Sequence, residues 1–221
     1  RRLESFTPGK ANASRRVEDV VLNEIMYHPI SDDDADEFVE VHNRSSQPVD
    51  LDGWRLEQGV SFTFPAGASI PAGGYVVVGR NVERLRANHT SLTAANSFGN
   101  WSGSLRNSGE RLSLSKPDEI LSTNSVGQVS SVTIHIEVST VDYRDAGRWG
   151  QWSGGGGSSM ELVDPRADPL RASSWADSDE TAKGEWQQFT LTDTLRFSTQ
   201  PASRLQLGLL GAGECLLDQL E

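Results

Sequence analysis

Asp32, Asp34 and Asp36 occupy alternate positions in the acidic run at residues 31–37, and Glu37 adds a fourth carboxylate beside them. D-x-D-x-D spacing is how oxygen ligands wrap around Ca²⁺. The remainder of the EF-hand pattern is missing. Counting from Asp32, the sixth position holds Glu37 where Gly is needed, and the twelfth holds Asn43 where Glu is needed. Asp32, Asp34, Asp36 and Glu37 are therefore candidates for a looser Ca²⁺ cage, weighed against a plain solvated turn between two strands, which is the simpler expectation. The second acidic run, Asp177-Ser178-Asp179-Glu180, is read the same way.

Other chemistries find little support. The four histidines, at 28, 42, 89 and 135, show no H-x-x-x-H spacing, and no cysteine joins them, so zinc is not expected. His42 and His135 fall on what read as polar strand faces and are expected to be exposed. Gly156-Gly157-Ser158-Ser159-Met160 lacks the closing glycine of a nucleophile elbow. Residues 208–213, GLLGAG, have the wrong spacing for a dinucleotide fingerprint and read as a turn. The tetraglycine at 154–157 lacks the Lys-Ser/Thr of a phosphate loop and reads as a flexible bend. No pair of carboxylates is set apart by environment as acid/base catalysis requires. The chain is expected not to be an enzyme and to carry no cofactor.

Tryptophan supplies the one other candidate. Trp149, Trp152 and Trp175 lie in a stretch without regular periodicity. Exposed indoles can form a flat platform for sugar rings, so the three are candidate ligand-binding residues. The plainer reading is that these rings, with Tyr143 and Trp186, plug a junction with residues 186–221.

The elements that must position these groups are strands. Val39 and Val41 alternate with Glu40 and His42. Trp54 follows the turn at Asp52-Gly53 as a core aromatic. Phe62 and Phe64 alternate around Thr63, and Pro65 stops that strand. Residues 75–78, YVVV, suit a strand buried on both faces. Residues 80–92 suit a short helix or loop. Asn107-Ser108-Gly109-Glu110 turns into a strand at 111–115. Val132, Ile134, Ile136 and Val138 give the cleanest alternation in the chain. The class is all-β, most simply a sandwich.

The domain boundaries read as a linker or tail at 1–17, a β-sandwich at 18–145, an ordered loop region rich in Trp and Gly at 146–185, and extra strands or the start of a second β-domain at 186–221. Within the last, strands are expected at 188–191, 204–210 and 214–221. Cys215, the single cysteine of the 221 residues, cannot form an internal disulfide and is expected as a buried thiol. The chain opens on Arg1 without a signal-peptide pattern, which suggests a piece or processed form of something longer. A net charge of −11 argues against broad binding to nucleic acid or anionic lipid. Residues 1–16 nevertheless carry a net of about +4 and residues 17–60 about −10. No apolar run reaches the length of a transmembrane helix.

Several motifs occur together in one order: Leu22-Asn23-Glu24-Ile25, Asp36-Glu37-Phe38-Val39-Glu40-Val41-His42-Asn43, residues 49–56 with Gly53-Trp54, residues 62–65 and residues 70–78. Asn96-Ser97-Phe98-Gly99-Asn100-Trp101 and Ser104-Leu105-Arg106-Asn107-Ser108-Gly109-Glu110 continue the series. In these motifs residues 18–145 resemble the lamin-tail domain family, in its bacterial branch, which is found in large surface or secreted proteins. The resemblance implies an immunoglobulin-like β-sandwich without catalytic machinery. It also implies an interaction module whose partner is another protein or a neighbouring domain of its own parent chain, in an extracytoplasmic setting. A polysaccharide partner, bound through the tryptophans, is the alternative. DNA binding, known for some nuclear relatives, does not transfer to so acidic a chain, and no heptad repeat supports filament assembly.

Overall fold

β-Branched and aromatic residues at alternate positions set most of the strands. The computed structural model describes residues 8–9, 19–179, 188 and 190. In chain order its strands are β1 (Val20–Met26), β2 (Phe38–Asn43), β3 (Val49–Asp50), β4 (Arg55–Glu57), β5 (Phe62–Thr63) and β6 (Ser69–Ile70). They continue as β7 (Tyr75–Gly79), β8 (Ser97–Phe98), β9 (Arg111–Thr123), β10 (Val129–Asp142), β11 (Met160–Leu162) and β12 (Trp175–Asp177). The chain separates into two units, Arg1–Ser178 and Asp179–Glu221, and every one of these strands belongs to the first. The expectations for the linker at 1–17, for strands at 186–221, for the turn at 208–213, for Trp186 and for Cys215 lie outside the described residues, apart from positions 8–9, 188 and 190.

Two sheets face each other. One runs β12-β11-β1-β2-β7-β8, antiparallel except for the parallel β7–β8 pair. The other is fully antiparallel in the order β10-β9-β4-β5, and β3 and β6 form a small ribbon beside them. Side chains alternate across each strand, so every second residue points inward. Leu22, Ile25, Val39, Val41, Val76 and Val78 of the first sheet share one buried cluster with Leu56, Leu112, Leu114 and Val141 of the second. Trp54 closes it, as its place after the Gly53 turn implies. This is the all-β immunoglobulin-like sandwich that the strand pattern and the resemblance lead one to expect.

One short helix, α1 (Val82–Asn88), follows β7. Asn81 caps it by accepting the Arg84 amide at 3.1 Å, and Val82 and Leu85 anchor it in the core. Among the described residues no helix is long and apolar enough to cross a membrane.

Two features depart from the sequence reading. The stretch expected as an ordered loop contributes two strands: β11 pairs with β1, and β12 pairs with β11. Each is only three residues long, too short to show a period. In addition, β9 and β10 make a hairpin much longer than the sheet that holds its base. β4 pairs with β9 only at residues 113–115. From Pro117 outward the hairpin is two strands alone, with Ile120 opposite Val132. Asn124 closes its tip by accepting from the amides of Val126 and Gln128 at 3.0 and 2.9 Å, with Gly127 left-handed (φ 81°).

Candidate functional site

The acidic loop between β1 and β2 is held by an arginine. Asp33 caps a single 3-10 turn by accepting the Ala35 amide at 2.9 Å. Arg84, presented by α1, donates to both Asp36 oxygens at 2.6 Å and to Asp33 at 2.8 Å, the forked geometry that suits guanidinium and carboxylate. Burial opposes the Asp36 charge. The hydrogen bonds from Arg84 and Ser31 outweigh it and hold the carboxyl below its usual range. Asp32 lies 3.5 Å from His28, on the outside. Glu37 points the other way: it is fully buried, and both its oxygens accept the Leu105 amide at 3.1 Å. Burial pushes its pKa up to about 7, with Asp34 and Glu110 adding to the rise.

Asp32, Asp34, Asp36 and Glu37 are thus dispersed rather than gathered. Among the described residues no group of three or more His, Cys, Asp or Glu is arranged to hold a metal ion. The expectation of a merely solvated turn also needs correction. Arg84, from elsewhere in the chain, pairs with two of the loop's five carboxyls, and a third, that of Glu37, is turned into the core.

In the second acidic run, of which Glu180 lies outside the described residues, Asp177 is likewise bound from elsewhere in the chain. Asp177 accepts from three successive backbone amides, those of Gln151 at 2.9 Å, Trp152 at 3.0 Å and Ser153 at 2.7 Å. It ties the loop at 150–153 to the end of β12. The tetraglycine is not a slack bend. Gly155 is left-handed (φ 93°), and a Cβ there would stand 2.8 Å from the His28 ring.

The three candidate tryptophans are not brought together as one exposed platform. Trp175 is buried in the core cluster and donates its indole N–H to Pro169 O at 2.8 Å. Trp149 is half-buried and packs against the same cluster. Trp152 alone shows its ring to solvent, at 59 % exposure. Position 175 is inward because β12 alternates in register with β11, a strand that the sequence does not announce. His42 is likewise buried, against expectation. It stacks on Tyr75 at 4.2 Å, with Nδ1 3.0 Å from Gly74 O. His135 is partly buried, with Nε2 3.2 Å from Gly53 O.

Two arrangements were not foreseen. In the first sheet Glu40, Glu24 and Glu161 stand directly opposite one another on β2, β1 and β11. Burial, then the Glu24 charge, pushes the Glu40 pKa up to about 7, although Asn23 donates to it at 2.9 Å. Ser159 donates to Glu24. The polar alternation of β1 and β2 could have placed two of the three in one row; the third needed β11. The second is the outer hairpin, where Ile120, Leu121, Val126, Val129 and Val132 are all more than half exposed. The alternation at 132–138 signals a strand, but does not tell that its outer half leaves the core.

Two facing, mostly antiparallel sheets with one shared apolar interior define an immunoglobulin-like β-sandwich. Consistent with this, the family model of the Lamin Tail Domain matches residues 13–134, more than half of the chain, and the protein belongs to that family. The family is a non-catalytic, immunoglobulin-like domain that often mediates interactions. No curated protein matches the chain.

Proposed function

We propose that this protein is a non-catalytic interaction module of a larger bacterial surface or secreted protein, and that the β9–β10 hairpin is the surface it presents to a protein or to a neighbouring domain. One observation carries this reading. Folding normally hides aliphatic side chains, yet this hairpin displays five of them beyond the sheet that supports its base. Ile120 and Val132 share one face of the hairpin, Leu121 and Val129 the other, and Val126 sits at its tip, so apolar surface wraps the outer end as a contact surface would. The carboxylates of Asp36, Glu37, Asp177 and Glu24 are bound to arginine, to backbone amides or to a hydroxyl, which suits a scaffold role. Hydrogen–deuterium exchange on this chain alone and within the longer protein tests the reading. Slowed exchange at residues 116–136 in the longer protein supports it. Identical exchange there in both forms refutes it.

A second reading has one observation of its own, the exposed Trp152 on a loop fixed by Asp177. A rigidly held indole can stack on a sugar ring. Tryptophan fluorescence titrated with a polysaccharide panel tests it, with Trp152→Ala as the control. No response from any glycan removes it.

A further inference from the structure

We propose that the peptide bond between Asp168 and Pro169 cleaves itself: in mild acid the Asp168 carboxylate attacks its own backbone carbonyl, and the chain divides after residue 168. The event happens once per chain and acts on its own backbone, so it stands apart from the interaction reading.

The loop between β11 and β12 holds two Asp-Pro pairs, Asp164-Pro165 and Asp168-Pro169. Such a bond is open to acid for two reasons. The carboxylate and the carbonyl carbon belong to one residue, so a small ring closes without bringing two molecules together. The nitrogen that leaves becomes a secondary amine, which takes up a proton readily. Both aspartates fold the carboxylate back over the bond: Asp164 Oδ1 accepts the Arg166 amide at 2.8 Å, and Asp168 Oδ1 accepts the Leu170 amide at 3.2 Å. At Asp168 the other oxygen, Oδ2, lies 3.8 Å from Arg171 Nε, so this ion pair engages the oxygen that is not over the bond. The two sites differ at the carbonyl. Asp164 O accepts the Ala167 amide at 2.8 Å. Asp168 O accepts two donors, the Arg171 amide at 3.1 Å and the Ser174 hydroxyl at 2.8 Å. Ser174 is buried, so its hydroxyl is held in place rather than exchanged for water. Donors so placed stabilise the negative charge that grows on a carbonyl oxygen under attack.

The step balances with water and acid alone. A lone pair of Oδ1 forms a bond to the Asp168 carbonyl carbon, and the carbonyl π pair moves onto its oxygen, between the Arg171 and Ser174 donors. Collapse of that intermediate breaks the C–N bond. The bonding pair stays on the Pro169 nitrogen, which takes a proton from the acidic solvent. Asp168 is left as a cyclic anhydride, and one water opens it to a free α-carboxyl. The cut does not scatter the pieces. Pro169 O accepts the Trp175 indole N–H at 2.8 Å, the Val163 amide donates to Ser174 O at 2.9 Å, and β12 stays paired with β11. Everything after Asp168 is then fastened to the sandwich by strand pairing and the buried indole, without a covalent link.

Mass spectrometry under denaturing conditions, on full chain first kept folded at about pH 4, tests this. Circular dichroism at that pH checks that each protein is folded. The wild type is expected to yield one fragment ending at Asp168 and one beginning at Pro169, with the bond at Asp164-Pro165 cut at least about tenfold more slowly. Ser174→Ala is expected to lose most of that preference. Asp168→Asn is expected to lose the cut after residue 168 and to keep the slow one after Asp164. In urea at the same pH the two bonds of the wild type are expected to break at similar rates. A folded wild type that stays whole, or that is cut equally at both bonds, overturns the proposal. So does a preference that survives Ser174→Ala or urea, or a cut after residue 168 that survives Asp168→Asn.

Discussion

Replacing Glu37 by Gln removes a carboxylate that the fold keeps at a cost. The side chain is fully buried, and its carboxylate accepts from the Leu105 amide. Burial is the main reason its pKa stands at about 7 rather than 4.5; Asp34 and Glu110 push the same way, and the Leu105 N–H and Arg80 resist. A rise of about 2.5 units corresponds to roughly 3 kcal/mol. Its sign follows from proton counting. Between pH 4.5 and 7 the folded chain keeps a proton that the unfolded chain has already released. Stability from this group is therefore complete below the unfolded value and is lost as pH rises through the folded one. Gln carries no charge but keeps an oxygen for the Leu105 amide. Urea unfolding at about pH 5 and about pH 8 is expected to show wild type and Glu37→Gln nearly equal at the lower pH, with the variant ahead by about 2–3 kcal/mol at the higher. In thermal melts each kcal/mol is worth about 2–4 °C for a domain of this size. Glu40 titrates in both proteins and cancels in the difference. A gap that does not change with pH, or a variant less stable at pH 8, would refute the reasoning.

Trp54→Ala is expected to cost about 3–5 kcal/mol in urea unfolding, since it empties a site in the core cluster; an unchanged midpoint would show that the ring is not part of the core. Asp177→Ala strips the acceptor from three backbone amides and is expected to cost about 1–3 kcal/mol. Hydrogen exchange at residues 150–153 should speed up selectively, and uniform behaviour across the domain would contradict the assignment. Gly155→Ala combines a left-handed backbone with a clash against the His28 ring, and a loss of about 1–3 kcal/mol in thermal melts is expected; a neutral result would mean that the turn relaxes freely.

What could be read in the chain is what local periodicity encodes. β1 and β7 hold aliphatic runs, β2 alternates Val39 and Val41 with Glu40 and His42, and the turn signals at Gly53 and at 107–110 fall where the chain does turn. Trp54 was legible as core because a large aromatic after such a turn has few other places to go. The three-residue strands β11 and β12 were not legible. Nothing in their own sequence makes them strands; they exist because β1 offers an edge and Asp177 fastens the adjoining loop. The burial of Trp175 and the completion of the glutamate row both depend on that edge.

The acids show why spacing alone misleads about chemistry. Asp32, Asp34 and Asp36 alternate as calcium ligands do, but the turn that carries them is one 3-10 turn long, and it sends their neighbour Glu37 into the core. Whether two such carboxyls share a cation then depends on what approaches from outside the loop. Here α1 delivers Arg84, whose fork satisfies Asp36 twice and Asp33 once. An arginine fixed by a capped helix brings its positive charge already desolvated in part and needs no ion to be stripped of water. The same logic runs through Asp177 and its three amides. Asp36, Glu37 and Asp177 are each placed by a donor that belongs to another element. The hairpin is the opposite case. Its outer half carries five exposed aliphatic side chains, and among the described residues no strand pairs with the uncharged edge of β10 at 129–136.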